Sequence, residues 1–170
     1  LINHILNENH IPSNSIGTLG YINSSNIIST GFTTPESVDL QQIFETSLNG
    51  GIKNITMEIS SHSIDMHRVD DIDIDIAIFT NLTPEHLDFH KTMDNYLHSK
   101  KKIFARLDSN KCSIINRDDN YYNAISSGLK SKIITYGLSS ESDIYPIEYT
   151  LLEDGINAEI SIFGKSIEIS

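Results

Sequence analysis

The sequence predicts an α/β fold in which helices flank a mostly parallel sheet, with a small antiparallel β appendage at the C-terminal end. Up to about residue 137, short apolar segments of strand length alternate with amphipathic segments of helical period, an order typical of parallel sheets. From residue 142 onward the pattern changes to alternating strands, and Asp154-Gly155 predicts a hairpin turn between two of them. We therefore expect ligands to bind beyond the carboxyl ends of the parallel strands.

The composition restricts the class of protein. The 170 residues, 38% of them hydrophobic, suffice for one ordinary domain with a sizeable core. The net charge of −11 argues against a nucleic-acid partner, because phosphate backbones bind clustered Lys and Arg. No apolar segment approaches the ~20 residues of a membrane span, and no signal-peptide pattern opens the chain, so we expect a cytoplasmic protein without a membrane partner. The single cysteine, Cys112, is interpreted as a buried core thiol.

The first half of the chain predicts helices and strands in alternation. An apolar helical face at residues 1–6 has no start signal, so we expect the helix and the chain to be cut there. Residues 14–22 predict a short strand that ends in a glycine-containing loop. Thr34 is the expected N-cap of the next helix, with Pro35 at its first position, and the glycines at 50–51 end it. The following elements are a strand at 54–59, a short helix at 61–68 and a strand at 74–80.

The second half continues this alternation and then changes character. The acidic alternation at 70–76 lacks the glycine and the final glutamate of a calcium loop, so it is interpreted as a solvated edge leading into a strand. The chain stops within an alternating stretch at 165–169, so this end also looks cut. The predicted elements are a helix at 92–107, a strand at 112–115, a helix at 121–129, a strand at 132–136, and antiparallel strands at 145–152 and 156–163.

Lys100 lies where a lysine is unexpected. At about 100° per residue, the helix at 92–107 places Lys100 within an apolar stripe, whereas Lys102 faces roughly the opposite side. Because desolvating an unpaired ammonium costs several kcal/mol, Lys100 must be paired, neutralised or chemically converted, unless its long stem lets the ammonium reach water. The apolar stripe consists of Met93, Tyr96, Leu97, Phe104 and Leu107.

Acidic, amide and imidazole side chains follow two of the predicted strands. If these strands are parallel neighbours, Glu58 and His86 lie at the same sheet edge, under the helix that carries Lys100. Glu and His with open positions are plausible ligands for Mg²⁺ or Mn²⁺, although such residues at loop ends are more often simply solvated. The residues concerned are Glu58 and His62 near the end of the strand at 54–59, and Asn81, His86, Asp88 and His90 after the strand at 74–80.

Several sequence blocks together resemble the central domain of the Mur ligases. The resemblance covers residues 1–137 in the family's order, whereas residues 138–170 match only loosely. Within the family it is strongest to the UDP-N-acetylmuramoyl-tripeptide synthetases, which add the third amino acid of the bacterial cell-wall stem peptide. The blocks are TTPE at 33–36, MEISSHS at 57–63, RV at 68–69, FTNLTPEHLDFH at 79–90, and the segment from Tyr96 through Lys100 to Phe104.

The resemblance implies a role for the polar residues in these blocks. Glu58 and His86 match magnesium ligands, and Lys100 matches a lysine that the family carries as a CO₂-derived carbamate, which helps to hold a second magnesium. A carbamate beside Mg²⁺ would explain the inward lysine, since it replaces an uncompensated ammonium by a paired anion. The turn at 116–119 is interpreted as structural. Contacts to the UDP-muramoyl-dipeptide are implied for Thr33, Thr34, Ser60 and Arg68, and supporting roles for His62, Asn81, Asp88 and His90.

The implied organisation is a partial central ATP-binding domain at 1–137 and an antiparallel β subdomain of the same domain at 138–170. The family's Gly-rich phosphate loop does not occur in the sequence, and we expect it just before Leu1. We likewise expect the N-terminal uridine-binding domain and the C-terminal domain that receives the amino acid to be missing. Phe32 and Met66 depart from the family, because some relatives carry an asparagine and a substrate-contacting glutamine there.

The resemblance thus implies a fragment of an ATP-dependent amide ligase of the bacterial cytoplasm. The whole enzyme would join a diamino acid, with diaminopimelate favoured over lysine, to UDP-MurNAc-L-Ala-D-Glu through an acyl phosphate, using ATP and Mg²⁺. We expect the 170 residues alone to be inactive. Two alternatives stay open: a metal-dependent hydrolase using His86, Asp88 and His90, and a non-catalytic module that binds a nucleotide sugar.

Overall fold

The computed structural model describes residues 1–23 and 26–169, so Ser170 of the predicted β appendage lies outside the described part of the chain. The chain divides into two compact units, Leu1–Ile72 and Asp73–Ser170. The elements of the first unit are α1 (Ile2–Glu8), β1 (Ser13–Gly17), β2 (Gly20–Asn23), β3 (Asn26–Ile28), α2 (Ser37–Asn49), β4 (Asn54–Met57) and α3 (Ser61–Asp65). Those of the second are β5 (Ile76–Phe79), α4 (Leu87–His90), α5 (Met93–Ala105), β6 (Cys112–Asn116), α6 (Tyr122–Ser126), β7 (Lys132–Tyr136), β8 (Ile144–Leu151), β9 (Ile156–Ile162) and β10 (Lys165–Ile169).

The first unit is built on a four-stranded sheet with the order β3-β2-β1-β4. β1 pairs antiparallel with β2 and parallel with β4, so the single strand predicted at 14–22 is a tight hairpin. Gly17 and Gly20 face each other at its two-residue turn, and Gly20 has a φ of +114°, which favours glycine. A Cβ on Gly20 would also lie 2.3 Å from the carbonyl oxygen of Ile28, so the glycine lets β3 approach.

The helix α2 begins later than the sequence predicts. Thr34 was expected to cap it, but Glu36 is the N-cap and its side chain makes no capping hydrogen bond. The Thr34 hydroxyl is used elsewhere: it donates to the carbonyl oxygen of Glu58 and accepts the N–H of Ser60, at 2.9 and 3.0 Å. The predicted cap is therefore wrong, because two groups more than twenty residues away occupy the hydroxyl.

A closed triangle of buried hydrogen bonds joins the first sheet to α2. The amide nitrogen of Asn14 donates to the hydroxyl of Tyr21 at 2.8 Å and to that of Ser47 at 3.0 Å, and the two hydroxyls lie 2.9 Å apart. All three residues are buried, so each polar group depends on the other two for its partners.

The substitution Tyr21→Phe is expected to reduce the free energy of unfolding by about 1–2 kcal/mol, since it leaves Asn14 and Ser47 short of a buried partner. Urea denaturation followed by circular dichroism measures this difference. Tyr149→Phe is the matched control, because it removes the same hydroxyl from a side chain that is 52% exposed. Equal effects of the two substitutions would contradict the role of the triangle.

The second unit contains a six-stranded sheet with the order β10-β9-β8-β7-β6-β5. β5, β6, β7 and β8 pair in parallel, whereas β9 pairs antiparallel with both β8 and β10. The predicted α/β class with a C-terminal antiparallel appendage is therefore confirmed. On the helical side, Phe104 of α5 packs edge-on against Phe79 of β5, with ring centroids 6.3 Å apart. The predicted boundary at 137/138 lies within this unit and stays a prediction.

Several local predictions differ from the structure. β5 begins at Ile76 instead of residue 74. The acids before it, Asp73 and Asp75, are exposed, as a solvated edge requires, and they pair with Lys111 at 3.0 and 2.5 Å. Cys112 is half-buried instead of buried. The sequence did not predict β3 or α4. Among the described residues, no helix has the length and apolar character needed to cross a membrane.

Candidate functional site

In the first unit, Glu58 is held against the turn between β1 and β2. It directly follows β4, and its N–H donates to the carbonyl oxygen of Ile16 at 2.9 Å, so its backbone stays attached to β1. Its carboxylate oxygen Oε2 accepts hydrogen bonds from the N–H and the hydroxyl of Thr18, both at 2.9 Å. A Cβ on Gly17 would lie 2.8 Å from the carboxyl carbon, so glycine makes room for this arrangement. Glu58 is exposed, and within residues 1–23 and 26–169 only Oε2 of its carboxylate accepts hydrogen bonds, so Oε1 can accept one from a ligand.

The hydroxyl side chains predicted to bind substrate lie near Glu58, but they have different partners. Thr34 is buried and bonded to Glu58 and Ser60, so it holds the chain in place. The hydroxyl of Ser60 caps α3 by accepting the N–H of Ser63 at 3.1 Å. The hydroxyl of Thr33 lies 3.2 Å from that of Thr18, in the wall of a cavity.

That cavity has a volume of about 260 Å³ and is open to solvent. Hydroxyl groups and glycine backbone form most of its wall, which suits a polar ligand more than an apolar one. Its lining residues are Thr18, Gly20, Ser29, Thr30, Gly31, Phe32 and Thr33.

Arg68 is fixed from several sides. Its Nη2 lies 2.7 Å from a carboxylate oxygen of Glu36, and its Nη1 donates to the carbonyl oxygen of Thr34 at 3.1 Å. The guanidinium carbon lies 4.6 Å from the ring centroid of Phe32, and Nη2 lies 3.4 Å from the sulfur of Met66. Its Nε is buried and has no hydrogen-bond partner among the described residues. Phe32 and Met66, at which the resemblance is imperfect, therefore both contact this one arginine.

In the second unit, Lys100 is half-buried on α5, as the helical pattern predicted, whereas Lys102 is exposed. Burial lowers the pKa of the Lys100 ammonium, and the charges of Glu85 and Asp119 partly oppose that shift. Its nitrogen lies 5.2 Å from the ring centroid of Tyr96, within range of a cation–π contact.

The same tyrosine ring contacts both histidines of the loop after β5. His86 meets the Tyr96 ring edge-on at 6.0 Å between centroids, and His90 stacks on it at 4.7 Å. His90 is buried and also meets the ring of Phe89, so it packs within the unit. His86 has a left-handed backbone with a φ of +57° and an exposed side chain.

The hydrolase alternative has no geometric support in the described residues. Within residues 1–23 and 26–169, no three His, Cys, Asp or Glu side chains are grouped so that they could hold a metal ion. A catalytic zinc needs about three protein ligands, and of the three proposed ones His90 is buried against Tyr96.

Glu58 and His86 were expected to share a sheet edge if the strands that precede them are parallel neighbours, and these strands are not neighbours. β4, which precedes Glu58, pairs with β1, whereas β5, which precedes His86, pairs with β6. The predicted site residues therefore fall into two sets. The first unit carries Thr33, Thr34, Glu58, Ser60, His62 and Arg68, and the second carries Asn81, His86, Asp88, His90 and Lys100.

Two groups of partner residues were missed by the sequence reasoning. Thr18 orients Glu58 from the hairpin turn, and the glycines on either side of it were the available signal. Asn116 and Asp119 lie in a turn that was interpreted as structural, and the structure adds their partners, because both bond to the backbone after β5. The run of polar residues directly after a buried strand was the signal for this second group.

Comparison of the sequence with a family model and with known proteins gives Mur ligases in both cases. A family model described as the Mur ligase middle domain matches residues 1–170. The chain is 38% identical over 170 residues to the UDP-N-acetylmuramoyl-L-alanyl-D-glutamate--2,6-diaminopimelate ligase of Caldanaerobacter subterraneus subsp. tengcongensis, covering 100% of this chain and 35% of that relative. It is 41% identical over 133 residues to the ligase of the same name from Fusobacterium nucleatum subsp. nucleatum, covering 76% of this chain and 27% of the relative.

Solved structures show the same fold. A structure of UDP-N-acetylmuramoyl-L-alanyl-D-glutamate--2,6-diaminopimelate ligase superposes with a TM-score of 0.89 at 24% identity, over 99% of this chain and 35% of that one. The MurF ligase from Thermotoga maritima in complex with ADP superposes with a TM-score of 0.69 at 14% identity, over 99% and 36%. The chain thus spans about a third of the length of these relatives, and it belongs to the Mur ligase middle domain family.

Proposed function

We propose that this protein serves the ATP-dependent ligation of a diamino acid, meso-diaminopimelate, to UDP-MurNAc-L-Ala-D-Glu in peptidoglycan synthesis. The observation that carries the proposal is the family match over residues 1–170. The names of the similar ligases support the substrates, and the ADP bound to the MurF neighbour supports the nucleotide. The two alternatives, a hydrolase and a non-catalytic module, have no comparable support.

The proposed chemistry has two steps. The D-glutamyl carboxylate attacks the γ-phosphorus of ATP, which gives an acyl phosphate and releases ADP. The amine of the diamino acid then attacks the acyl carbon, so that an amide forms, phosphate leaves and the amine loses a proton. Arg68 and Thr33 are proposed to bind the UDP-muramoyl-dipeptide, because Thr33 lines a polar cavity and the Arg68 guanidinium packs on Phe32, another residue of the cavity wall. Thr34 and Ser60 are proposed to shape that surface from within.

Glu58, His86 and Lys100 are proposed as magnesium ligands. The Glu58 carboxylate suits Mg²⁺, which is commonly held by one or two carboxylates together with water and substrate phosphates. Glu58 provides such a carboxylate, with Oε2 fixed by Thr18 and Oε1 available. When bound, Mg²⁺ supplies charge neutralisation for phosphoryl transfer. Supporting roles are proposed for His62, Asn81, Asp88 and His90.

Lys100 is proposed to contribute as a carbamate. The Lys100 ammonium first loses one proton. The neutral amine nitrogen then attacks CO₂, an N–C bond forms and a second proton is released, so that a cation becomes an anion. Only the neutral amine can react, and the pKa of Lys100 is lowered by burial, which raises the neutral fraction at a given pH. Lys100 is half-buried on α5.

A domain exchange tests the proposed function. A chimera in which residues 1–170 replace the matching segment of the Caldanaerobacter ligase is expected to release phosphate from ATP. This release should require Mg²⁺, UDP-MurNAc-L-Ala-D-Glu and diaminopimelate together. The isolated 170 residues are expected to release none, because their sequence holds no Gly-rich phosphate loop.

The unmodified Caldanaerobacter ligase is the positive control for the assay, and circular dichroism checks that the chimera is folded. A folded chimera that releases no phosphate under conditions where the unmodified ligase is active would contradict the proposal. Phosphate release by the isolated chain would contradict the assignment of ATP binding to a segment outside it.

A further inference from the structure

Three polar side chains in the second unit bind the backbone just where β5 ends. The hydroxyl of Tyr136 donates to the carbonyl oxygen of Phe79 at 3.3 Å. The side-chain nitrogen of Asn116 donates to the carbonyl oxygen of Thr80 at 2.8 Å. The carboxylate oxygen Oδ2 of Asp119 accepts the N–H of Leu82 at 3.0 Å. We call these three side chains, Asn116, Asp119 and Tyr136, the β5 clamp.

The clamp acts beyond the hydrogen-bond ladder of the sheet. Pairing between β5 and β6 ends at Phe79 opposite Ile115, so residues 80–82 have left the regular strand. Backbone groups in such a position normally bond to water, and the loop can then move. Here side chains from the ends of β6 and β7 take the place of a neighbouring strand.

Two of the three side chains of the clamp, Asn116 and Asp119, are themselves fixed at a second polar atom. The Oδ1 of Asp119 accepts the N–H of Tyr121 at 2.8 Å, and the Oδ1 of Asn116 accepts the N–H of Asp118 at 3.0 Å. Each of the two therefore bridges two backbone segments, and neither can swing away without losing two hydrogen bonds. Through these hydrogen bonds, the backbone of the loop after β5 is attached to the end of β6.

This loop carries two candidate site residues. Asn81 lies between the two bonded groups, Thr80 and Leu82, and its side chain is exposed. His86 follows four residues after Leu82. A side chain binds a ligand more tightly when its backbone is already ordered. The conformational entropy of the loop is then lost during folding and not during binding.

We propose that Asn116, Asp119 and Tyr136 are positioning residues that hold Asn81 and His86 ready for their ligands. This inference rests on the proposed function, in which His86 is a metal ligand. Partners that orient a metal ligand typically change metal affinity by about 10–100-fold when they are removed. Here we expect the metal affinity to fall because the loop after β5 becomes less ordered when a clamp residue is removed.

Adjacent carboxylates in one turn provide a matched pair of variants. Asp119→Asn replaces the carboxylate bonded to Leu82, whereas Asp118→Asn replaces one that is bonded to the N–H of Leu138, after β7. Both variants lose one negative charge from the same turn. Because the charge of Asp119 also acts on Lys100, variants without a charge change are needed beside this pair. The new amide in Asp119→Asn has one acceptor oxygen for the two N–H groups that Asp119 accepts, so we expect this substitution to weaken the attachment of the loop after β5, whereas Asp118 makes no bond to the described residues of this loop.

The experiment uses the ¹⁵N-labelled 170-residue chain, with MnCl₂ as the metal probe. In Asp119→Asn, we expect the amide of Leu82 to exchange with deuterated water at least about 10-fold faster. We also expect the Mn²⁺ concentration for half-maximal broadening of the His86 ring signals to rise about 10-fold. Asp118→Asn should leave both measurements near those of the unsubstituted chain.

Two further variants remove a bond to the loop without removing a charge. They also provide a second test if Asp119→Asn fails to fold. Asn116→Ala and Tyr136→Phe each remove one bond to the loop without changing the net charge, and both should shift the same two measurements in the same direction. Equal behaviour of Asp119→Asn and Asp118→Asn would overturn the inference. Faster exchange at Leu82 without weaker Mn²⁺ binding would also overturn it. If Mn²⁺ leaves His86 unaffected in the unsubstituted chain, the metal assignment in the proposed function is what fails.

Discussion

Replacing Lys100 by methionine in the chimera is expected to slow phosphate release by about 10³-fold, the scale found when a group that stabilises transition-state charge is removed. Methionine keeps an unbranched side chain that can pack beside Tyr96, but it has no amine, so no carbamate can form. Lys100→Arg should be equally impaired, because a guanidinium stays cationic. Initial rates at saturating Mg²⁺ measure the loss.

The carbamate itself can be observed in the 170-residue chain without any turnover. In ¹³C-bicarbonate, we expect a carbamate carbon signal that Lys100→Met removes and Lys102→Met keeps, because Lys102 is an exposed lysine on the same helix. Burial lowers the pKa of Lys100, so its amine becomes neutral at lower pH than an ordinary lysine, and the signal should grow as pH rises through that range. An active Lys100→Arg chimera together with an absent carbamate signal would remove Lys100 from the mechanism.

Replacing Glu58 by glutamine is expected to lower the rate of the chimera by about 10²–10³-fold at limiting Mg²⁺. The amide oxygen can still accept the two hydrogen bonds from Thr18, so the side chain should keep its place while its charge is lost. The magnesium dependence of the rate should shift to higher concentration, since an amide is a weaker ligand for a hard cation than a carboxylate.

Gly17→Ala separates the position of the carboxylate from its charge. The new methyl group would lie 2.8 Å from the carboxyl carbon of Glu58, which is the end of a flexible side chain and can move aside. We therefore expect less than about 1 kcal/mol loss in the free energy of unfolding, with a several-fold rise in the Mg²⁺ concentration for half-maximal rate. If neither Gly17→Ala nor Glu58→Gln changes the magnesium dependence, Glu58 is not a metal ligand.

The helices and strands that the sequence predicted well are specified by residues within or next to the element itself. β7 has the predicted bounds, 132–136, and α5 begins after Thr92, whose side chain accepts the N–H of Asn95 as an N-cap should. The antiparallel pair β8 and β9 flanks Asp154-Gly155 as predicted. In each case, residues within a few positions of one another supply the cap, the turn or the period.

The predictions that were wrong depended on distant partners. Thr34 looks like a cap by local rules, but Glu58 and Ser60 occupy its hydroxyl. β4 and β5 follow each other along the chain with only α3 between them, yet each pairs with a different strand. The pairing of strands depends on the burial of whole sheet faces. The period-two pattern of one strand shows which of its faces is apolar, but it does not show which other strand pairs with it.

By itself, the sequence determined the α/β class, the family and the inward direction of Lys100, because helical and strand periodicities are set by backbone geometry within a few residues. Only the tertiary structure decided that Thr18 orients Glu58, that Phe32 and Glu36 hold Arg68, and that the β5 clamp fixes the backbone around Asn81. These contacts join residues up to 40 positions apart. They depend on which strands pair and where each turn places its polar atoms, and those choices are made when the chain packs.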